Sequence, residues 1–462
     1  MTIWFPQLGA RSGPRYLALA DAIEQDVIGG TLPAGARLPP QRDLAYQLGV
    51  TVGTVSRAYA LVAARGLVTG EVGRGTFVRA SEEDVRVNPV DDGSDELIRL
   101  TVNAPPDPAY RSILREGLAE LAANPAALQD LLSYTPKRGL ADHRAAIASW
   151  IGRIGVDARA DDVIITAGAH QAVLAALAGL ARRGDTVLIE ALTYTGIVHV
   201  AERLGLRPRG LALDDEGLMP EALDAACRGG TARLLVINPI AHNPTTATMS
   251  LERREAIAAL ARKHDLIVLE DDVYGRLPED RPPPIAALAP ERTIYITSAS
   301  KSIAPGLRLG MLLSPPAYLQ PIADVQHDLF LTCPPLMPEL FKLWLRNGTA
   351  ERLAQRQCVE ARARQDLARE ILAGHAYRAQ PTTYHIWLPL PAPWRTSQFV
   401  AAARERGVAV DPGSAFAVDQ AQAPHAVRVS LSAAASRERL TSGLRILAEL
   451  LAEPPARRRE VI

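Results

Sequence analysis

The chain has 462 residues, 48% apolar and 22% charged, with 51 basic and 51 acidic side chains. That length exceeds one hydrophobic core and predicts two or three domains, and the balanced composition excludes a disordered or membrane-embedded chain. Three scattered cysteines, Cys227, Cys333 and Cys358, fit neither a disulfide framework nor zinc spacing and read as buried free thiols.

The longest apolar run, residues 172–181, is half a membrane span. The N-terminus lacks a basic flank followed by an apolar signal core, so a cytoplasmic location is expected, with no membrane or metal partner. Charge is unevenly spread. Residues 1–80 hold eight arginines and five acids, whereas residues 81–96 hold seven acids and one arginine. The second stretch also contains Asn88-Pro89 and Gly93-Ser94 and shows no helical or strand period, as a solvated linker does. The expected domains are 1–80 and 97–462, joined by the acidic linker 81–96.

In the first segment Leu19, Ile23 and Val27 form an apolar helical stripe closed by Gly29-Gly30. Leu38-Pro39-Pro40 leads into a short helix with Leu44 and Leu48 on one face, broken at Gly49. Thr51 or Thr54 caps the next helix, which buries Val55, Tyr59 and Val62. Residues 71–78 then read as a tight β-hairpin with Arg74 at its tip.

Three motifs in this order, L-P-P-x-R-x-L-A-x-x-L-G-V, T-V-x-x-A-Y and G-R-G-T-F-V, resemble the winged helix-turn-helix of GntR-type bacterial repressors. The resemblance implies a double-stranded DNA operator as partner. Thr51, Thr54 and Arg57 would face the major groove, and Arg42 and Arg74 would contact phosphate or the minor groove. Val52, followed by Gly53, stands where such repressors usually carry an arginine, so direct base reading there is expected to be lost or altered. A surplus of three charges predicts weak nonspecific affinity, so binding requires two such domains on one DNA.

Beyond residue 160 short apolar runs alternate with helical stretches. The runs are Val163-Ile164-Ile165, Val187-Leu188-Ile189, Leu234-Leu235-Val236-Ile237, Leu266-Ile267-Val268-Leu269 and Thr293-Ile294-Tyr295-Ile296; helices over 171–182 and 251–264 intervene. Strands apolar on both faces with helical crossovers predict a largely parallel, covered sheet, with ligands beyond the C-terminal strand ends. The polar residues gather at those ends. Thr166-Ala167-Gly168-Ala169-His170 is a glycine turn opening a helix, whose N–H groups suit a phosphate. Tyr194, Asn243, Asp271-Asp272-Val273-Tyr274 and Lys301 follow the later runs.

Lys301 is one of only four lysines, with Lys137, Lys263 and Lys342, in a chain that otherwise uses arginine. A lysine against that habit suggests amine chemistry, because an amine can lose its proton and add to an aldehyde. The segment S-x-S-K-x-x-x-P-G-L-R-x-G around it resembles the cofactor-lysine segment of fold-type I aminotransferases, which use pyridoxal 5′-phosphate. By that resemblance Lys301 bonds to the cofactor aldehyde, and Ser298, Arg308 and the Gly168–Ala169–His170 backbone hold its phosphate. Asp271 would pair with the pyridine nitrogen, Asn243 and Tyr274 with the phenolic oxygen, and Tyr194 would stack on the ring. Lys301, Asp271 and Tyr274 would be the catalytic groups. Arg428, in Val427-Arg428-Val429, would clamp a substrate or effector carboxylate beside Asn243, and Tyr134 would cross a homodimer interface to the partner's phosphate.

The match spans about residues 97 to 455, with departures. Leu192 and Thr246 replace a proline and a glycine, and His170 and Ala104 border the site where Gln or Ser and a glycine are commoner. The implied fold is α/β: a winged helix-turn-helix joined by a linker to a fold-type I aminotransferase with a mainly parallel large domain and a smaller α+β domain. The order resembles the MocR-like branch of bacterial regulators. It implies a pyridoxal phosphate-dependent transcription regulator that senses an amine, an amino acid or the cofactor itself. A working α-amino acid aminotransferase of 2-aminoadipate or aromatic type with an accessory DNA domain is the second reading, and a cofactor reservoir the third.

Overall fold

A computed structural model describes Trp4, Pro6, Leu32 and residues 14–28, 36–64, 67–71, 75–78, 96–106, 110–129, 131–230, 232–278 and 280–453. The chain divides into two compact units, Met1–Pro89 and Val90–Ile462.

In the first unit three helices, α1 (Arg15–Ile28), α2 (Gln41–Leu48) and α3 (Val52–Ala64), precede a hairpin of β1 (Val68–Glu71) and β2 (Gly75–Val78). The four-residue spacing of Leu19 and Ile23, and that of Val55, Tyr59 and Val62, puts each set on one buried face with Leu44, Val68 and Val78. Fully burying each such side chain contributes about 1.5–3 kcal/mol. Gly49 ends α2 in the left-handed region at φ 60°, where a side chain would be strained. Thr51 rather than Thr54 caps α3: its Oγ1 accepts the Thr54 N–H at 3.2 Å. The hairpin tip with Arg74 lies outside the described residues.

The second unit is built on a seven-stranded sheet. Its strands are β3 (Val163–Thr166), β4 (Thr186–Glu190), β5 (Arg207–Leu211), β6 (Leu234–Ile237), β7 (Ile267–Asp271), β8 (Thr293–Ser298) and β9 (Gly310–Leu313). The spatial order is β3-β9-β8-β7-β6-β4-β5, and only β9 runs antiparallel to its neighbours. Each predicted run is a strand here. Residues alternate between faces, so Ile189, Val236, Leu269 and Ile294 pack against Val173 and Leu177 of the helix Ala169–Leu180. Leu188, Leu235 and Val268 pack on the other side with Ile257 and Ala261 of the helix Leu251–Lys263.

Two strands escape sequence inspection. The edge strand β5, Arg207-Pro208-Arg209-Gly210-Leu211, pairs on one side only and so needs no continuous apolar run. β9 is hidden behind the Lys301 segment. It needs Gly310 at its start, since a Cβ there would run into the Gly168 carbonyl carbon.

A smaller α+β part holds an antiparallel sheet of β10 (His385–Pro389), β11 (Asp411–Pro412) and β12 (Ala426–Ser430), in the order β10-β12-β11. Ile98 and Leu100 join its core with Phe399, Val427 and Leu444, and Ile98–Arg99 pairs in parallel with Val408–Ala409. Residues 98–100 therefore complete the C-terminal core, which brings the 101–104 segment beside β12. No helix among the described residues is long and apolar enough to cross a membrane.

Candidate active site

The site forms where β3, β7 and β8 end. After β3 the chain turns at Gly168, φ 96°, into the helix Ala169–Leu180, whose N-terminus no side chain caps. Arg308, itself left-handed at φ 45°, folds over that glycine and donates from Nη2 to the Ala167 carbonyl at 3.1 Å. A Cβ on Gly168 would stand 2.5 Å from Arg308 Nη2. A guanidinium beside a helix N-terminus is a cradle for a dianion, and the glycine keeps it open. Ser298, at the end of β8, accepts the Ser300 N–H at 3.4 Å. Gly168→Ala would push the Arg308 guanidinium out of the cradle, and weakening one charged hydrogen bond costs about 1.5–3 kcal/mol, so at least about tenfold weaker retention of pyridoxal phosphate is expected in equilibrium dialysis.

Lys301 sits in the one-turn helix Ala299–Ser302 and donates from Nζ to the Asn103 carbonyl. Burial, with the Arg428 and Arg308 charges, lowers its pKa to about 8, against the opposing pull of Asp271. About a tenth of the amine is therefore neutral near pH 7, hundreds of times more than in an ordinary lysine, and the neutral form is the one nucleophilic addition demands. Asp271 ends β7. Burial first, then the Asp272 and Glu190 charges, raise its pKa to about 7. Its Oδ1 is buried and has no hydrogen-bond partner in the protein. A buried, orphaned carboxylate oxygen costs stability unless a cationic N–H meets it, which a protonated pyridine supplies.

The backbone around Asp271 is fixed by amides. Asn238 donates from Nδ2 to the Asp271 carbonyl at 2.6 Å and accepts the Asn243 N–H at 3.0 Å. Glu190 accepts the Asn238 N–H at 2.9 Å and lies 3.2 Å from His242 Nε2, both side chains being buried. Asn243 precedes a cis proline, Pro244. Three residues on, Thr246 takes φ 65°, bearing the left-handed strain that a glycine avoids.

Tyr274 is buried, and its hydroxyl accepts from Asn103 Nδ2 at 3.0 Å. Burial pushes its pKa up to about 12 despite that hydrogen bond. The phenol therefore stays protonated and can donate to a phenolate oxygen. Asn103 also lies 2.9 Å from His385 Nδ1, and burial then Arg428 hold His385 well below the usual imidazole range. Asn103 and His385 escaped the sequence reading, because an amide or imidazole inside a strand-like run looks like any core polar residue.

Tyr194 caps the pocket from the β4 end. It is 44% exposed and meets His170 edge-on at 6.2 Å. Its ring folds back over Gly196, where a Cβ would run into Cε1 of the ring. Burial, then Asp271, raise the Tyr194 pKa, while Arg308 and Arg428 oppose the shift, so these groups share one field. Arg428 on β12 is buried, and its Nη1 donates to Asn243 Oδ1 at 2.8 Å.

The fold thus gathers Lys301, Asp271, Asn243, Tyr274, Tyr194, Gly168, Ala169, His170, Ser298, Arg308 and Arg428. Tyr134 stands apart, 87% exposed on the single chain. In the first unit Arg42 and Arg57 are exposed, while Thr51 and Thr54 bond to each other at 3.0 Å.

An amine of lowered pKa, an orphaned acid and an anion cradle meet at the strand ends of a seven-stranded sheet, and the fold is that of a fold-type I aminotransferase. The family model "Aminotransferase class I and II" matches residues 95–447, and the chain belongs to that family; "Bacterial regulatory proteins, gntR family" matches residues 15–78. Together they make the MocR-like arrangement. The chain is 32% identical to the HTH-type transcriptional regulator YdeF of Bacillus subtilis (strain 168), over 97% of this chain and 96% of the relative. It is 28% identical to the vitamin B6 salvage pathway transcriptional repressor PtsJ of Salmonella typhimurium, over 89% and 93%. Among solved structures it resembles LysN, an α-aminoadipate aminotransferase from Thermus thermophilus complexed with N-(5′-phosphopyridoxyl)-L-leucine. The TM-score is 0.70 at 27% identity, over 78% of this chain and 92% of that one.

Proposed function

We propose that this chain is a pyridoxal phosphate-dependent transcription regulator, which binds operator DNA through residues 1–80 and senses a small molecule through residues 97–462. The observation that carries the reading is the pairing, in one chain, of a gntR-family segment with an aminotransferase-family segment, matched nearly end to end by a relative named as a regulator. When bound, the cofactor supplies an electron-accepting ring. Lys301 would hold the cofactor aldehyde, Asp271 would keep the ring nitrogen protonated, and Asn243 and Tyr274 would hydrogen-bond its phenolic oxygen. Arg308, Ser298 and the first turn of the helix Ala169–Leu180 would bind the phosphate.

Arg42, Thr51, Thr54, Arg57 and Arg74 form the expected DNA set. Their one-domain charge surplus requires two copies on one operator, so the regulator acts as a homodimer. The exposure of two large side chains, Leu132 at 97% and Tyr134 at 87%, fits a surface that a second copy covers. Residues 81–96 serve as the linker, and DNA binding places the protein in the cytoplasm. Arg57→Ala is expected to weaken binding to a fragment upstream of its own gene in fluorescence anisotropy, with an unchanged unfolding temperature. Equal binding by variant and parent would remove Arg57 from the interface.

A second reading has one specific observation behind it. The lowered pKa of Lys301 equips it to move a proton as well as to hold a cofactor. Sustained conversion of an amino acid with a keto acid acceptor would favour an aminotransferase that also binds DNA.

A further inference from the structure

Arg428 is already engaged by an acid of its own chain. Asp411 and Arg428 face each other in register on the adjacent strands β11 and β12, so the pairing is fixed by the sheet. Asp411 Oδ2 lies 2.5 Å from Arg428 Nη2, and the same nitrogen donates to the Thr101 carbonyl. Nη1 donates to Asn243 Oδ1, and Phe416 covers one guanidinium face at 4.6 Å.

A guanidinium grips a carboxylate bidentately through one of two edges, Nη1 with Nη2 or Nε with Nη2. Both edges use Nη2. Its two N–H groups are spent on Asp411 and Thr101, so neither fork is free; Nε is buried and without a partner, but offers a single N–H. An incoming α-carboxylate would also meet the Asp411 charge at this distance. We infer that Asp411 turns the pocket away from α-amino acids and toward primary amines that lack an α-carboxylate. The inference rests on the reading of Lys301 and the cofactor pocket given above, and it assigns the ligand class.

The test uses the full chain loaded with pyridoxal phosphate, followed by cofactor absorption and by calorimetry. Three matched pairs are titrated: ethylamine and L-alanine, 3-methylbutylamine and L-leucine, 2-phenylethylamine and L-phenylalanine. In the parent chain at least one amine is expected to half-saturate at a concentration about tenfold below that of its amino acid, the worth of one charged hydrogen bond. Asp411→Asn, nearly isosteric, is expected to improve the amino acid by about the same factor and leave the amine unchanged. Amino acids that bind the parent as well as the amines do, or a ratio that Asp411→Asn leaves unmoved, would overturn the inference alone. A loaded protein that responds to no amine would overturn it too. Failure of the parent chain to acquire any lysine-bound cofactor absorption would instead sink the cofactor reading, and this inference with it.

Discussion

Replacing Lys301 by alanine will abolish the visible absorption of the pyridoxal-loaded protein, because no other lysine is placed in the pocket. The apo chain will remain folded. In the parent, the rate of cofactor loading at fixed pyridoxal phosphate will rise with pH, pass half its maximum near pH 8 and level off about one pH unit above, since the neutral amine is the nucleophile and its pKa is lowered to about 8. An ordinary lysine would go on gaining rate toward its pKa of about 10.4. The same shift has a sign in stability. A lysine whose folded pKa lies below its unfolded value opposes folding below the folded pKa, and the penalty fades as pH rises toward the unfolded value. The apo parent should therefore gain stability from Lys301 between about pH 8 and 10, a gain missing from Lys301→Ala. A loading rate whose half-maximum lies at about pH 10, as for an ordinary lysine, would contradict the geometry around the amine.

Asp271→Asn will divide two properties that usually move together. Removing the acid from its proposed pair with the pyridine nitrogen costs about 3 kcal/mol or more, so cofactor retention should weaken about 100-fold. The apo protein should instead become more stable at pH 8, by about 1–3 kcal/mol, because the carboxylate has a buried, unpartnered oxygen. Asp271 has a folded pKa near 7, above its unfolded value. Its penalty is absent below the unfolded pKa, grows as pH rises toward 7, and is complete above. Thermal unfolding of apo parent and variant from pH 4 to 8 should diverge across that window. Parallel curves would show that Asp271 is paired within the apo protein and not held for a cofactor.

Much of this was legible in the sequence, for physical reasons. Strands buried on both faces must be apolar throughout, so five of the seven sheet strands stood out. The pocket residues fall at the strand ends, where apolar runs stop, and Lys301 is conspicuous among so many arginines. What stayed hidden depends on contacts distant in sequence. Asn103 reaches Tyr274 across 171 positions, and Arg428 reaches the Thr101 carbonyl across 327. Asp411 carries no signal of its own in the sequence; only the register of β11 on β12 sets it against Arg428. The choice between Thr51 and Thr54 as cap likewise turned on one hydrogen bond.

Regulation requires that the pocket's occupant favour one arrangement of the protein over another, since a ligand indifferent to both shifts nothing. The most direct measurement is therefore the affinity of the full chain for the DNA upstream of its own gene, by fluorescence anisotropy, in four states: parent and Lys301→Ala, each with and without pyridoxal phosphate. The account predicts that loading changes the parent's affinity at least about fivefold and leaves Lys301→Ala unmoved. Four equal affinities would contradict it: the pocket and the DNA-binding segment would share a chain without sharing a function.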